Sequence, residues 1–314
     1  MSVVAIAGGT GGLGRTITEA IASTRKHSVF VLSRKKTTIF DSLLNVTLLI
    51  VDYNSIDSLT IVLKEHGIDT IISTMQVGNE DSSNSQLNLI DAAEKSGTVK
   101  RFAPSEFGID CMEARKINFA FPFAAYRIAA IDKLRVTSLE YTSFLTGVFL
   151  DYFGMPHAPT YLSGFSIIVD VVNMKAAIPG EGNTPIVFTY TADVATFVAA
   201  SLDLAAWPKK SVIAGDKITS NQLVGLVEKA RGRKVDLVHD SLQDLRAGKI
   251  TELPSNIPLY SFMPKPVLEG MLISFAMAME VGLVDIEGKT LNEMLPDVKA
   301  MSVDVFLQNF WGGK

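Results

Sequence analysis

The 314-residue sequence predicts an α/β fold: a doubly wound parallel sheet with a smaller C-terminal α+β region. Three observations predict it. Short apolar runs alternate with helix-length amphipathic stretches through the first half. The runs are continuously apolar, as in a sheet covered on both faces, and the rhythm stops near residue 153. The strand runs are Val3–Ala7, Ser28–Leu32, Thr47–Val51, Thr70–Ser73, Arg101–Ala103 and Glu140–Phe144. Between them Leu13–Thr24, Ser55–Glu65, Ser83–Ser96 and Phe123–Val136 read as helices. Ser55 or Asp57 can cap the second and Asn84 or Ser85 the third. Such a series implies right-handed crossovers. Residues 1–153 read as one domain and 154–314 as a lid or substrate region whose chain is free to interleave with it. Gly, Pro and Thr punctuate Gly154–Pro185, and helices are expected near Thr191–Leu204, Ser220–Ala230 and Leu268–Val281.

Composition narrows the function. With 47% hydrophobic and 20% charged residues the chain is not a disordered one. Its 29 basic and 33 acidic side chains give a net charge of −4, so no basic excess awaits a phosphate backbone and nucleic acid is not an expected partner. A single cysteine, Cys111, allows neither an internal disulfide nor a cysteine-based zinc site, which fits a reducing, cytoplasmic setting. The four histidines lack metal-ligand spacing, and no metal is expected. The first residues lack the basic flank and apolar length of a signal peptide. No apolar stretch reaches the ~18 residues of a membrane span. A small-molecule substrate is therefore the expected partner, with a homodimer left open.

The informative motif is Gly8-Gly9-Thr10-Gly11-Gly12-Leu13-Gly14, after the first strand and opening the first helix. Gly8 permits the tight turn, Gly11 lets backbone approach a pyrophosphate, and Gly14 permits close helix–strand packing. The helix N-terminus then offers free N–H donors and a positive dipole end. Where an NAD site would present Asp or Glu after the second strand, this chain has Ser33-Arg34-Lys35-Lys36. A carboxylate there would repel a 2′-phosphate, whereas Arg34 can grip it bidentately and Lys35 can add charge, so NADP(H) is the expected cofactor. An exposed basic loop is the simpler alternative. Asp52, beside Tyr53 after the third strand, can accept from an adenine amino group or cap the next helix. Thr74, Met75 and Gln76 follow the fourth strand, where ligands of such sheets lie.

The segment Gln86–Gly108, above all Lys100-Arg101-Phe102-Ala103-Pro104-Ser105-Glu106-Phe107-Gly108, strongly resembles the NmrA-like/isoflavone reductase-like branch of atypical short-chain dehydrogenases. Leu139-Glu140-Tyr141-Thr142 and Phe149 with Tyr152-Phe153 extend the similarity, which is good over residues 1–155 and loose beyond. The resemblance implies an NADP(H)-binding Rossmann domain and reduction of small aromatic or alkaloid-like metabolites. Some members of such families only sense the cofactor and regulate partners. It also implies a partly structural role for Glu106, bonded to local backbone, while Ser105 can contact nicotinamide or substrate.

The catalytic position departs from the family. Counting back from Tyr141-Thr142, the lysine of the reductase branch falls on Arg127, and four residues after Tyr126 stands Ala130 rather than lysine. A buried lysine can trade a proton near neutral pH; a guanidinium cannot. Two routes keep an enzyme: Tyr126 protonates a reduced carbonyl with Arg127 lowering its pKa, or the substrate needs hydride alone, as an iminium carbon does. The alternatives are a cofactor-sensing regulator without turnover and a non-redox isomerase or cyclase. Phe149, Tyr152, Phe153 and His157, past the sixth strand, are the expected substrate wall. The methionine-rich Met271–Met279 stretch can pack there, but reads more simply as core or an oligomer contact.

Overall fold

A computed structural model describes residues 1–314. Six parallel strands, β1 (Val3–Ala7), β2 (Ser28–Ser33), β3 (Val46–Ile50), β4 (Thr70–Ser73), β5 (Arg101–Ala103) and β6 (Glu140–Tyr141), form one sheet in the order β3-β2-β1-β4-β5-β6. The direction of winding reverses between β1 and β4, which opens a crevice beyond their carboxyl ends. Along β1 the side chains alternate between two cores. Val4 and Ile6 face helix α1 (Gly12–Thr24), whereas Ala5 and Ala7 face the side covered by α2 (Ile56–Glu65), α3 (Glu80–Ser96) and α5 (Ala124–Leu134). A short helix, α4 (Cys111–Lys116), precedes α5 and has no counterpart in the sequence expectation.

Two boundaries differ for local reasons. Ser55 caps α2, its hydroxyl accepting from the Ser58 amide, as one of the two expected caps. Helix α3 starts at Glu80 rather than Ser83: Asn79 and Ser82 form a reciprocal capping box, and neither Asn84 nor Ser85 is the cap. The run expected as one strand over Glu140–Phe144 breaks at Thr142. Beyond it β7 (Ser143–Leu145) leaves the sheet to pair with a strand from the C-terminal half.

That half is richer in strands than its punctuation suggests. In chain order follow β8 (Val148–Phe149), β9 (Val169–Asp170), β10 (Lys175–Pro179), β11 (Pro185–Thr189), β12 (Lys210–Val212), β13 (Asp216–Thr219) and β14 (Asp236–Asp240). They build two three-stranded sheets, β13-β11-β8 and β14-β10-β9, and the β12-β7 pair. The helices are α6 (Asp151–Gly154), α7 (Thr191–Ser201), α8 (Ser220–Arg231), α9 (Leu242–Arg246), α10 (Lys265–Glu280), α11 (Leu291–Met294) and α12 (Val303–Trp311), with a 3-10 turn at Pro254–Ser261. The chain returns to the first sheet: Val194, Phe197 and Val198 of α7 lie in one core with Ile6, Ile17 and Ile21. Buried Asp151 accepts from the Thr191 amide and hydroxyl at 3.0 and 2.6 Å, tying the end of β8 to the start of α7. No helix is long and apolar enough to cross a membrane.

Candidate functional site

At two positions of the glycine loop only glycine fits. Gly8 has φ +82°, and a Cβ there would sit 2.9 Å from the Thr74 carbonyl and the Met75 amide. At Gly14 a Cβ would collide with Thr74 Oγ1 and the Gly8 carbonyl oxygen. Thr74 locks this contact, because its amide and hydroxyl both donate to the Ala7 carbonyl at 2.8 and 2.9 Å. Around Gly11, by contrast, a Cβ would meet nothing within 4 Å, and no side chain caps the amides that open α1. A loop pressed against β4 at two points and open at the helix mouth is a cradle for an anion. Leu13 and Gly14 are buried and Thr10 and Gly11 exposed, so backbone at Gly11 and Gly12 faces the open side.

At the end of β2, Arg34, Lys35 and Lys36 are exposed and Arg34 has no acidic partner. The Ser33 hydroxyl donates to the Lys35 carbonyl (2.7 Å) and accepts from the Lys35 amide (3.2 Å), so it shapes the basic turn. Asp52 accepts from the Asn54 amide at 2.9 Å and does not cap α2. Tyr53 is corrected. Its ring is buried, burial raises its phenol pKa, and its hydroxyl donates to the Leu32 carbonyl at 3.0 Å, so it braces β2 from below.

A strap from the C-terminal half crosses this mouth. The Tyr161 ring lies 4.0 Å from the Arg15 guanidinium, and its hydroxyl donates to Glu19, which Arg15 also engages. Leu162 reaches Gly12, where a Cβ would stand 3.6 Å from its methyl carbon. These residues are invisible to motif reading, because the loop that carries them has no periodicity.

On the far side of the crevice Met75 is half-buried, Gln76 is exposed, and Ser105 ties the β4 and β5 loops together. Its hydroxyl donates to the Met75 carbonyl at 2.7 Å and its amide to Gln86 Oε1 at 2.8 Å. Tyr126 and Arg127 are half-buried in the first turn of α5. Arg127 turns inward: its Nη1 lies 3.6 Å from where a Gly108 Cβ would stand, and its Nε is buried without a partner. Glu106 is 1% exposed, and neither of its oxygens makes a well-formed hydrogen bond, although the Cys111 amide and the Ser143 hydroxyl lie close enough to favour its charged form. Burial pushes its carboxyl up to about 7 and the Cys111 thiol up to about 12, which leaves that thiol inert at neutral pH.

Two of the four residues expected to form a substrate wall, Phe149 and Tyr152, lie in a row of aromatic rings. Phe149 lies 6.4 Å from Tyr152, and Tyr152 lies 4.6 Å from Phe165, ring centre to ring centre. Phe165 continues to Phe275 at 6.4 Å, and Phe275 to Phe121 at 5.4 Å. This row of half-buried rings draws on four distant parts of the chain. Burial pushes the Tyr152 phenol up to about 12, so it keeps its proton and can donate a hydrogen bond. Phe153 and His157 do not belong to the row. Phe153 is 1% exposed against Phe188 in the C-terminal core, and His157 lies on the surface, edge-on to Trp311 at 4.6 Å. Phe275 of the methionine-rich helix belongs to the row and also packs against the C-terminal core, to which Ala278 and Met279 of the same helix contribute.

A model of the NmrA-like family matches residues 1–304. An oxidoreductase of Metarhizium robertsii, swnN, is 33% identical, covering 99% of this chain and 98% of its own length. Oxidoreductase BOA1 of Botryotinia fuckeliana is 38% identical over 74% of this chain and 76% of its own. The structure of AtPrR2 with NADP+ and (+)pinoresinol superposes with a TM-score of 0.77 at 23% identity, over 98% of both chains. The leucoanthocyanidin reductase–NADPH complex from Vitis vinifera gives 0.76 at 19% identity, over 98% of this chain and 99% of its own. At these identities the two structures attest the shared fold.

Proposed function

The chain belongs to the NmrA-like family, and on that premise we propose that it is an NADPH-dependent reductase of a bulky, largely apolar metabolite. One observation carries the reading: a row of aromatic rings, Phe149, Tyr152, Phe165, Phe275 and Phe121, shares one fold with an anion cradle shaped by Gly8 and Gly14. Curated relatives named as oxidoreductases support it, as do solved neighbours holding NADP+ or NADPH.

The residues present fit the dinucleotide. The open amides at Gly11 and Gly12 would receive its pyrophosphate, and Arg34 with Lys35 its 2′-phosphate. Thr74–Gln76 and Ser105 would border the nicotinamide. When bound, this cofactor supplies hydride. The protein's own part is to exclude water with the strap and the ring row, to orient the acceptor, and to deliver a proton where one is needed. Tyr126 is the residue for that proton, because Arg127 cannot release one. The acceptor is a C=N, C=C or C=O bond. An iminium carbon would need no proton at all, since hydride alone neutralises it.

The test is NADPH oxidation, followed by its absorbance, against a panel of cyclic imines, enones and aromatic aldehydes. Turnover with one class and not the others identifies the bond. Tight NADPH binding with no turnover on any class would overturn the reductase reading in favour of a cofactor sensor.

A further inference from the structure

The first turn of α5 is poorly supported by its own sequence. It opens at Phe123 in the left-handed region (φ +63°), with no side-chain cap and no acidic residue in the turn. A bulky side chain there is strained, and the surroundings must hold it. Arg127 adds a cost, since its positive charge lies near the positive end of the helix dipole. Some group must compensate.

Glu106 is placed to do so. It borders a cavity of about 130 Å³ between α4, α5 and the β6–β7 segment. The cations around that cavity are committed elsewhere. Lys210 pairs with Asp110 and Glu113, and Lys116 with Glu113. Arg135 pairs with Asp132, and Lys209 lies 3.7 Å from the Tyr141 ring centre. Arg127, which has no carboxylate partner, approaches Glu106 from the other side: a Gly108 Cβ would stand 3.6 Å from Arg127 Nη1 and 3.8 Å from the Glu106 carbonyl oxygen, and no ion pair joins the two side chains, so their charges act at short range through buried protein.

We propose that Glu106 is a positioning residue. Its carboxylate offsets the inward Arg127 charge, which fixes the first turn of α5 and thereby holds the Tyr126 hydroxyl toward the cleft, about 100° around the helix from Arg127. This rests on the reading of Tyr126 as the proton donor. Arg127 then anchors the helix where the family's lysine would trade a proton. The groups that tune Glu106 are Asp110 and Cys111 on α4, Arg127 on α5 and Ser143 on β7, with burial dominant. The carboxylate therefore forms across the neutral range.

The experiment compares the full-length wild type with Glu106→Gln, Arg127→Gln, the double variant and Arg127→Lys. Two readouts are taken from pH 5.5 to 8.5: kcat and KM with a turned-over substrate, and the carbonyl-carbon NMR titration of labelled glutamate in the unliganded protein. In the wild type kcat should fall about tenfold as pH drops through about 7, with KM for NADPH unchanged. Glu106→Gln should sit on the low plateau at every pH, and the double variant should be no worse than either single one. Arg127→Lys should leave the Glu106 titration close to that of the wild type, because the charge is kept. Arg127→Gln should move the Glu106 titration upward even without substrate. Multiplicative losses, an acid limb that persists in Glu106→Gln, or a titration indifferent to Arg127 would each overturn the proposal. The NMR arm separates this failure from that of the reductase reading: a chain without turnover would still report whether the two groups are coupled.

Discussion

Gly14 and Arg34 make different contributions to the site proposed for the dinucleotide, one steric and one electrostatic. A methyl at position 14 meets the Gly8 backbone carbonyl and Thr74 Oγ1, which its bond to the Ala7 carbonyl holds in place. Neither can retreat, so Gly14→Ala should reshape the cradle, weaken NADPH binding at least tenfold and lower stability by about 1–3 kcal/mol. Calorimetric titration and thermal unfolding measure both, and unchanged NADPH affinity would refute the cradle. Arg34→Ala leaves the fold untouched, since the side chain is exposed. It should cost about 1.5–3 kcal/mol of NADPH affinity, roughly ten- to a hundred-fold, and almost nothing for NADH. Equal losses for both nucleotides would mean that the basic turn does not read the 2′-phosphate. These positions were legible in the sequence because backbone geometry and charge are written locally. Phe121, Phe165 and Phe275 were not. Each is an ordinary apolar residue until the fold brings it beside the others, while Phe153 and His157 lie near the right strand but face the wrong way.

Elements were legible where their partners are near in sequence. Strands β1, β4 and β5 were read to the residue, because each is a short run with an apolar centre, bounded by Gly, Asp, Lys or Pro. The C-terminal strands failed that test. Lys175–Pro179 and Asp236–Asp240 pair across some sixty intervening residues, and most of the latter strand is exposed, so it carries no apolar signature. The strap escaped notice for a similar reason, since what defines it is Tyr161 meeting α1. As an element it predicts a kinetic effect. Tyr161 is 43% exposed, so Tyr161→Ala should change stability by less than about 1 kcal/mol. Removing the Arg15 and Glu19 contacts frees the strap from the helix that opens the cradle. The NADPH dissociation rate, followed by stopped-flow fluorescence, should then rise several-fold with association little changed. A change confined to association would assign the strap to entry rather than retention.

For the whole molecule, the return of the chain to the first sheet decides what can fold alone. Half of the buried residues on the α1 face of that sheet come from beyond residue 153, among them Phe197, Val198, Trp207 and Ile213. Each large one is worth about 1.5–3 kcal/mol of burial. The segment 1–153 expressed alone should therefore show no cooperative unfolding, whereas the intact chain should unfold in one transition; a folded fragment would refute this. Stability should also carry the mark of its buried titratable groups, and two of them oppose each other. Burial raises the Glu106 pKa from 4.5 to about 7. Its contribution is complete below about 4.5 and is lost as pH rises through about 7, on the order of 3 kcal/mol in all. Burial lowers the His27 pKa, so its contribution is complete above the ordinary histidine value and is lost as pH falls. Between about pH 5 and 8 the two slopes therefore partly cancel in the wild type, and a flat profile would hide both. Glu106→Gln removes only the falling slope. Its unfolding free energy relative to wild type, from urea titrations, should improve steadily from pH 5 to 8. Parallel profiles for the two proteins would mean that the Glu106 carboxyl ionises as freely in the folded chain as in the unfolded one.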